Sequence, residues 1–528
     1  MYYLKPTVKA EPLIWRWYAW PYLISPATAA CNIVERHLKI MQSYVQNPNI
    51  HAQAVKDPKM LGGPFIDLEG EKVNEIKTLI EDTKKNCKPL IDLCAALKEL
   101  DKMLLNESKG GSVESLYERV PQMLKGLVEL VYDLNNHPSM RLIEPLFYKA
   151  YYENSHQELA LGHVESDFRK FVFSTPRIAQ ADEVYLQTPF SDKRLDTLFA
   201  HKQEPCELED VIKLFNIDEA HQGLFKTFFT NDSPEQNHDK NYKGTGVRVR
   251  YFGHACVLIE TDSTSILFDP VISYEINNDI PRYTFSDLPD HIDYVVITHN
   301  HLDHIMFETL LQLRHKTSHI VFPRNQQGGL ADPSMKLILK HAGFDSLIEL
   351  GEFETIEFKD GEIIGVPFLG EHCDLNIQSK LSYCIKVKSR KFVLAADSNN
   401  LSPQLYEHIS DIIGDVDMLF LGMECDGAPL TWTYGPLLTN PLSREFDKSR
   451  TLSGSDFNKA WSITEKLKCK HAYVYAMGQE PWLNHVMALN YSPDSKQIIE
   501  SNKFVENCLT NGIESERLFG KKEWVLEA

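Results

Sequence analysis

Ten cysteines are scattered through the 528 residues, and no two of them form a Cys-X-X-Cys pair. That excludes a zinc ribbon or a disulfide framework and suits free thiols in a reducing compartment. No run of about 18 apolar residues occurs, so no membrane span is expected. Met1 to Lys9 lack a charged segment followed by an apolar core, so no secretory leader is expected and the cytoplasm is the expected compartment. Cations are in the minority: 55 Lys and Arg against 74 Asp and Glu give a formal charge of −19. Phosphate backbones require clustered Lys and Arg, which argues against a general nucleic-acid binder. No internal repeat is apparent. What remains is an ordinary globular composition, 43% apolar and 24% charged, over a length that accommodates two or more domains.

The first 30 residues carry Trp15, Trp17, Tyr18, Trp20 and Tyr22. Left exposed they would be a liability, so the segment is expected to pack on another domain or to form an oligomer interface. From Cys31 to about Glu153 the pattern is helical: Val73, Ile76, Leu79 and Ile80, then Leu90, Leu93, Leu97 and Leu100, recur at helical spacing. Gly110 and Gly111 interrupt it, and Ser112 is placed to cap a further helix carrying Leu116, Val120, Met123, Leu127 and Leu130. Residues 160–228 mix short strands and helices in no order that the pattern fixes. The polar run from Asn231 to Gly244 has no aliphatic stretch and is the best boundary in the chain. A mostly helical (α+β) domain over residues 1–240 and a second domain over residues 241–528 are therefore expected.

Past the boundary, strands alternate with helices, and a carboxylate or histidine repeatedly follows a strand end. Val247–Phe252, Cys256–Glu260 and Ile266–Phe268 read as strands, with Asp269-Pro270 as terminator. Strand Tyr294–Thr298 ends in His299, His301, Asp303 and His304. His299 and His301, two apart, point to one side of extended backbone, and Asp303 and His304 follow where the loop turns. Four donors so close together suit two cations roughly 3.5–4 Å apart. Further along, a strand over Ile363–Phe368 precedes Glu371 and His372, Phe392–Ala395 precedes Asp397, and Met418–Leu421 precedes Glu424.

His-X-His-X-Asp-His after a strand resembles the metallo-β-lactamase fold, an αββα sandwich with metals at one rim. Hydrolytic members carry a histidine ligand after the glycine of the 370 loop. Here that position is Glu371, with His372 displaced by one, and Gly478-Gln479-Glu480-Pro481-Trp482 stands where a last histidine is expected. The chain is similar in these features, in size and in domain order to the di-iron β-hydroxylases of nonribosomal peptide assembly. The resemblance covers the whole chain and is specific in its second half. It implies His299, His301 and Glu371 on one iron, Asp303 and His304 on the other, and Asp397 placed to bridge. Such a set is harder and richer in oxygen than a di-zinc site, and imidazole with carboxylate is what non-haem iron uses toward O2.

The resemblance further implies two iron ions, oxo-bridged, with O2 as co-substrate and an external electron donor. The substrate would be an amino acid held as a phosphopantetheine thioester on a carrier domain of a nonribosomal peptide synthetase, and the enzyme a homodimer. Glu371 is expected to change its binding mode, and Glu424 to orient ligands or move a proton, unless it is only an exposed loop acid. His254 is expected to support a ligand rather than to be one. Trp432 and Tyr434 would line a substrate pocket or merely pack their loop. Lys386, Lys388, Arg390 and Lys391, or Lys466, Lys468 and Lys470, are candidate docking patches for an acidic carrier. The rival reading is a di-zinc hydrolase of the same fold, cleaving a phosphodiester, thioester or lactone with His372 as ligand. A non-catalytic scaffold would have lost ligands, whereas every rim position here is filled.

Overall fold

The computed structural model describes residues 1–234 and 239–527, so the polar run of residues 231–244 lies partly outside the described residues. In the second half the inner strands of each sheet bury both faces, while edge strands such as Thr355–Phe358 and Lys522–Leu526 stay partly exposed. Leu267 and Val295 point into one core, while Ile266, Phe268 and Val296 point into another. Alternation in which both phases are apolar is what a doubly covered sheet requires. Two seven-stranded sheets result. One runs in the order Leu347–Leu350, Thr317–Pro323, Ile292–Val296, Ser265–Phe268, Cys256–Glu260, Val247–Gly253, Lys522–Leu526. The other runs Thr355–Phe358, Gly361–Val366, Ser382–Val387, Arg390–Leu394, Met418–Gly422, His471–Tyr475, Glu514–Arg517. Val249, Val257 and Phe268 of the first meet Ile385, Phe392 and Phe420 of the second in a shared core.

Helices Pro403–Ile413, Phe457–Lys466 and Lys496–Thr510 cover the outer face of the second sheet. Phe307–Leu313 and Met335–His341 cover the first, and the N-terminal half packs on that same side. This is the expected αββα sandwich, preceded by a mostly helical half. Among the described residues no helix is long and apolar enough to cross a membrane.

The N-terminal half contains the expected helices Val73–Asn86 and Lys88–Glu107, together with a four-stranded sheet built on Val8–Ile14 and Gln157–His163. The helix expected after Ser112 does not form. Ser112 Oγ accepts the Glu114 N–H (3.2 Å) at a 3-10 turn, Glu114–Arg119, and Val128–Tyr132 pairs with Pro138–Leu142 as a hairpin. Pro121 decides this, because it has no N–H to give and its ring clashes with the preceding turn. Trp17, Tyr18, Trp20 and Tyr22 are buried and Trp15 is half-buried: Tyr18 donates to Glu308 Oε2 (2.7 Å) and Tyr22 to the Ala331 carbonyl (2.6 Å). They form a seam between the two halves of one chain, which meets the packing expectation and removes them as an oligomer interface.

Buried charge ties the same seam. Glu11 takes Arg169 (2.5 Å) and Arg177 (2.8 Å), and Arg169 also reaches Glu308 (2.7 Å), which accepts from Tyr274 as well (2.7 Å). Nearby, Glu144 accepts the Ser334 N–H (2.9 Å), and burial pushes its carboxyl up to about 7 from an ordinary 4.5. Folding thus favours the protonated form. The stabilisation is full below 4.5 and is lost as pH rises through about 7. Glu144→Gln keeps an acceptor and cannot ionise. It should flatten the fall in melting temperature between about pH 4.5 and 7, with a gain at higher pH of up to ~3 kcal/mol. An unchanged pH profile would remove Glu144 as its source.

Candidate metal centre

The donor residues share one edge because the strands before them run parallel. Asp269 follows Ser265–Phe268, His299 to His304 follow Ile292–Val296, Asp397 follows Arg390–Leu394 and Glu424 follows Met418–Gly422. Ligand sites gather at such carboxyl ends. The backbone is left-handed there at His254, Asp269, Glu371, Ala396 and Ala476, an uncommon conformation for residues other than glycine. Two glycines make room: a Cβ on Gly422 would stand 2.7 Å from Asp397 Oδ1, and one on Gly370 2.5 Å from Asn399 Cβ.

All six expected ligands meet, in three overlapping groups. His299, His301 and Glu371 converge with His372; His304 and Asp303 converge with His254; and Asp397 lies between His299 and His304. Glu371 Oε1 stands 2.8 Å from His301 Nδ1 and its Oε2 3.9 Å from His299 Nε2. Asp397 Oδ2 lies 3.1 Å from His304 Nε2 and 3.7 Å from His299 Nε2. His372 Nδ1 approaches Glu371 Oε2 (2.8 Å), and its ring stacks on His301.

Partners behind these donors fix their direction. His304 Nδ1 donates to Asp269 Oδ2 (2.8 Å), leaving Nε2 facing the cluster. Thr298 Oγ1 donates to the same oxygen (2.6 Å), so it can accept from His299 Nδ1 (3.0 Å) and turn that Nε2 inward as well. His301 Nε2 meets the buried Tyr434 hydroxyl (3.1 Å), which leaves Nδ1 for the cluster. His254 Nδ1 accepts the Gly478 N–H (3.2 Å), so its Nε2 donates to Asp303 (3.0 Å). Glu480 accepts from Tyr251 (2.5 Å), and the Trp482 indole packs against Gly253, so the 478–482 segment braces this corner. Sequence reasoning missed Asp269 and Thr298. The signal was Asp269's place at the end of a strand whose Phe268 pairs with Val296, beside the motif.

The electrostatics follow from burial and crowding. Burial alone would raise Glu371, but the imidazoles of His301 and His372 overcome it and hold the carboxyl at about 2. Burial, then the neighbouring imidazoles of His304 and His301, depresses His299; burial opposes His304, but Asp303, Asp397 and Asp269 raise it. Burial, together with the charges of Asp397, Asp303 and Glu371, carries Glu424 well above the carboxylate range. His299 Nε2 and Asp397 Oδ1 are buried without hydrogen-bond partners among the described residues. Convergent imidazole lone pairs and carboxylate oxygens of this kind fit two hard or borderline cations.

A cavity of about 320 Å³ opens on this face, walled by Trp20, Leu61, Phe173, Trp432 and Met487, with Glu424 beside His301 and Asp397. Trp432 therefore lines a pocket, whereas Tyr434 supports a histidine. Neither basic cluster serves this mouth. Lys386, Lys388, Lys466, Lys468 and Lys470 are paired with Glu362, Asp262, Glu407, Asp415 and Asp417, Arg390 reaches the Glu527 carbonyl and Lys391 that of Ile413. Lys388 and Lys470 also precede the strands whose far ends form the rim, roughly 20 Å away at strand rise.

Comparison with known proteins follows this geometry. Residues 3–234 match the model of the di-iron non-haem β-hydroxylase N-terminal domain, and residues 264–428 match the β-lactamase superfamily domain. The chain is 36% identical over 524 residues, 98% of each chain, to 4-amino-L-phenylalanyl-[CmlP-peptidyl-carrier-protein] 3-hydroxylase of Streptomyces venezuelae. It superposes on the crystal structure of CmlA, a di-iron β-hydroxylase of that organism, with a TM-score of 0.92 at 35% identity over 99% of both chains. A metal-dependent hydrolase of Enterococcus faecalis matches over 54 residues only, 10% of this chain and 22% of its own, at 44% identity. The long similarity runs through both halves, and the chain belongs to the di-iron non-haem β-hydroxylase family.

Proposed function

We propose that this protein is an O2-dependent di-iron monooxygenase that hydroxylates the β-carbon of an amino acid held as a phosphopantetheine thioester on a peptide synthetase carrier domain. The observation that carries the reading is the carboxylate-rich donor set, in which Glu371 stands 2.8 Å from His301 where hydrolases of the fold use histidine. His299, His301 and Glu371 would hold one iron and Asp303 and His304 the other, with Asp397 between them. Two irons held there, reduced by an external donor, supply the oxidising power that converts C–H to C–OH with O2.

The rest of the work belongs to the chain. Asp269, Thr298, Tyr434 and His254 hold the ligands in one tautomer and orientation. Glu424 lines the chamber wall beside Asp397 and Asp303, where burial and those carboxylates push its carboxyl up, and is placed to hold or move a proton there. Trp20, Phe173 and Trp432 exclude water and surround the side chain being oxidised. No Lys or Arg is among the described residues of that wall, so an acidic side chain would enter unpaired, whereas an aromatic or large aliphatic one is accommodated. Family membership also supports a homodimer.

The test is metal analysis of protein grown with both iron and zinc, followed by incubation with aminoacyl-loaded carrier domains, a reductant and O2. Roughly two irons per chain and a mass gain of one oxygen atom on the aminoacyl group are expected. Two tightly held zinc ions, with no turnover after iron reconstitution, would overturn the reading in favour of a hydrolase.

A further inference from the structure

A second cavity, of about 580 Å³, adjoins the first and shares Gly62, Phe173, Pro429 and Trp432 with it. Its walls come from residues 35–43, 62–64 and 171–174 on one side and the loop of residues 429–436 on the other. The first cavity touches the metal-facing carboxylates and this one does not, so the pair reads as an inner and an outer chamber joined at Trp432.

Arg36 lines the outer chamber from a π-helical turn, Ile33–Leu38, a wide turn often found at functional sites. Its residue is 8% exposed. Nη2 donates to the Trp432 carbonyl and to the Thr433 carbonyl (3.2 Å), and the guanidinium carbon lies 5.3 Å from the Phe173 ring centre. Nη1 is buried and has no hydrogen-bond partner among the described residues. Burial lowers its basicity only to about 10, so the group is a cation at neutral pH. A buried guanidinium whose known acceptors are two backbone carbonyls is costly unless something supplies a further one.

We propose that the outer chamber takes the pantetheine arm of the carrier, and that Arg36 Nη1 donates to an amide carbonyl of that arm close to its sulfur. This rests on the carrier-tethered reading above. Arg36 sits at the neck, on the carbonyls of residues that line the inner chamber, so it faces the thioester end of the arm, where the acceptors are amides, and not the distant phosphate. Ile40, Pro64, Phe171 and Pro436 give the arm's methyl groups an apolar wall. Arg36 is thus a positioning residue: it sets how far the aminoacyl group reaches toward the metal centre.

The test uses full-length, iron-loaded protein and two photoreactive probes of equal length. One is D-pantetheine with a diazirine on its sulfur; the other replaces the amide nearest the sulfur with methylenes. Saturable labelling by the first should map to residues 62–64, 171–174 or 429–436. Arg36→Met should weaken that labelling about tenfold, as expected for a lost hydrogen bond to a charged group, and leave the methylene probe unchanged. Arg36→Lys should restore part of it. Labelling elsewhere, no saturable labelling, or an equal loss for both probes would overturn the proposal; equal loss would make Arg36 a strut for the Trp432 loop. Should Arg36→Met not fold, Ile40→Trp should block labelling by filling the chamber, and unblocked labelling is equally fatal. Hydroxylation by the wild type with labels elsewhere refutes only this proposal, whereas labels here with no hydroxylation refute the oxygenase reading and leave the arm site standing.

Discussion

Glu371→Ala is expected to leave roughly one iron per chain and to lower hydroxylation at least a thousandfold, ~4 kcal/mol of lost transition-state stabilisation. Glu371 is the donor that most separates this centre from a histidine-rich one. Its carboxylate reaches toward both His301 and His299, so alanine removes the proposed ligand and a negative charge at once. What remains around that position is imidazole, including His372, whose Nε2 is buried without a partner among the described residues. Glu371→His should accordingly shift retention from iron to zinc while oxygenation stays lost. Metal content by mass spectrometry, beside turnover on a loaded carrier, checks both variants. An alanine variant with two irons and undiminished turnover would end the ligand assignment.

Asp269→Asn should weaken iron binding at the His304 position by 10- to 100-fold, the range seen when a partner behind a metal ligand is lost. The aspartate accepts three hydrogen bonds: His304 Nδ1 at 2.8 Å, the Thr298 hydroxyl at 2.6 Å and the Thr298 N–H at 2.7 Å. An asparagine can present an N–H where His304 needs an acceptor. That would favour the tautomer with the proton on Nε2, the atom facing the cluster. Competition with a chelator reads the affinity, and thermal melting separates it from loss of fold. Thr298→Val keeps the carboxylate and should cost less. Equal effects from the two variants would mean that the tautomer is not what Asp269 controls.

Most of the second half was legible because its chemistry is local. Cys256–Glu260 has the bounds that the apolar pattern gives, and strands Val247–Gly253 and Ser265–Phe268 differ from expectation by a single residue. His299 to His304 announced themselves by density after a strand. Asp269 did not, because its partners lie 29 and 35 positions away and only strand pairing brings them together. The N-terminal half was harder for a related reason. Leu116 to Leu130 satisfy a helical period, yet Pro121 stops the helix, and only from Val128 is the segment held in a hairpin by pairing with Pro138–Leu142. Lys386 to Lys391 read as candidate docking cations because their partners, Glu362, Asp262 and the carbonyls of Glu527 and Ile413, are distant in sequence.

The buried bridge from Glu11 through Arg169 to Glu308 sets a rule for recombination. Glu308 sits four residues after His304, at the start of helix Phe307–Leu313 of the sandwich, while its counter-charge lives in the other half of the gene. A chimera that grafts this sandwich onto a foreign leader inherits a buried carboxylate that keeps the Tyr274 hydroxyl but has lost its cation, a defect that typically costs ~3–5 kcal/mol. The two halves are therefore tradeable only as a matched set, and shuffling libraries built at the polar run of residues 231–244 should return folded members chiefly where Glu11, Arg169 and Glu308 travel together.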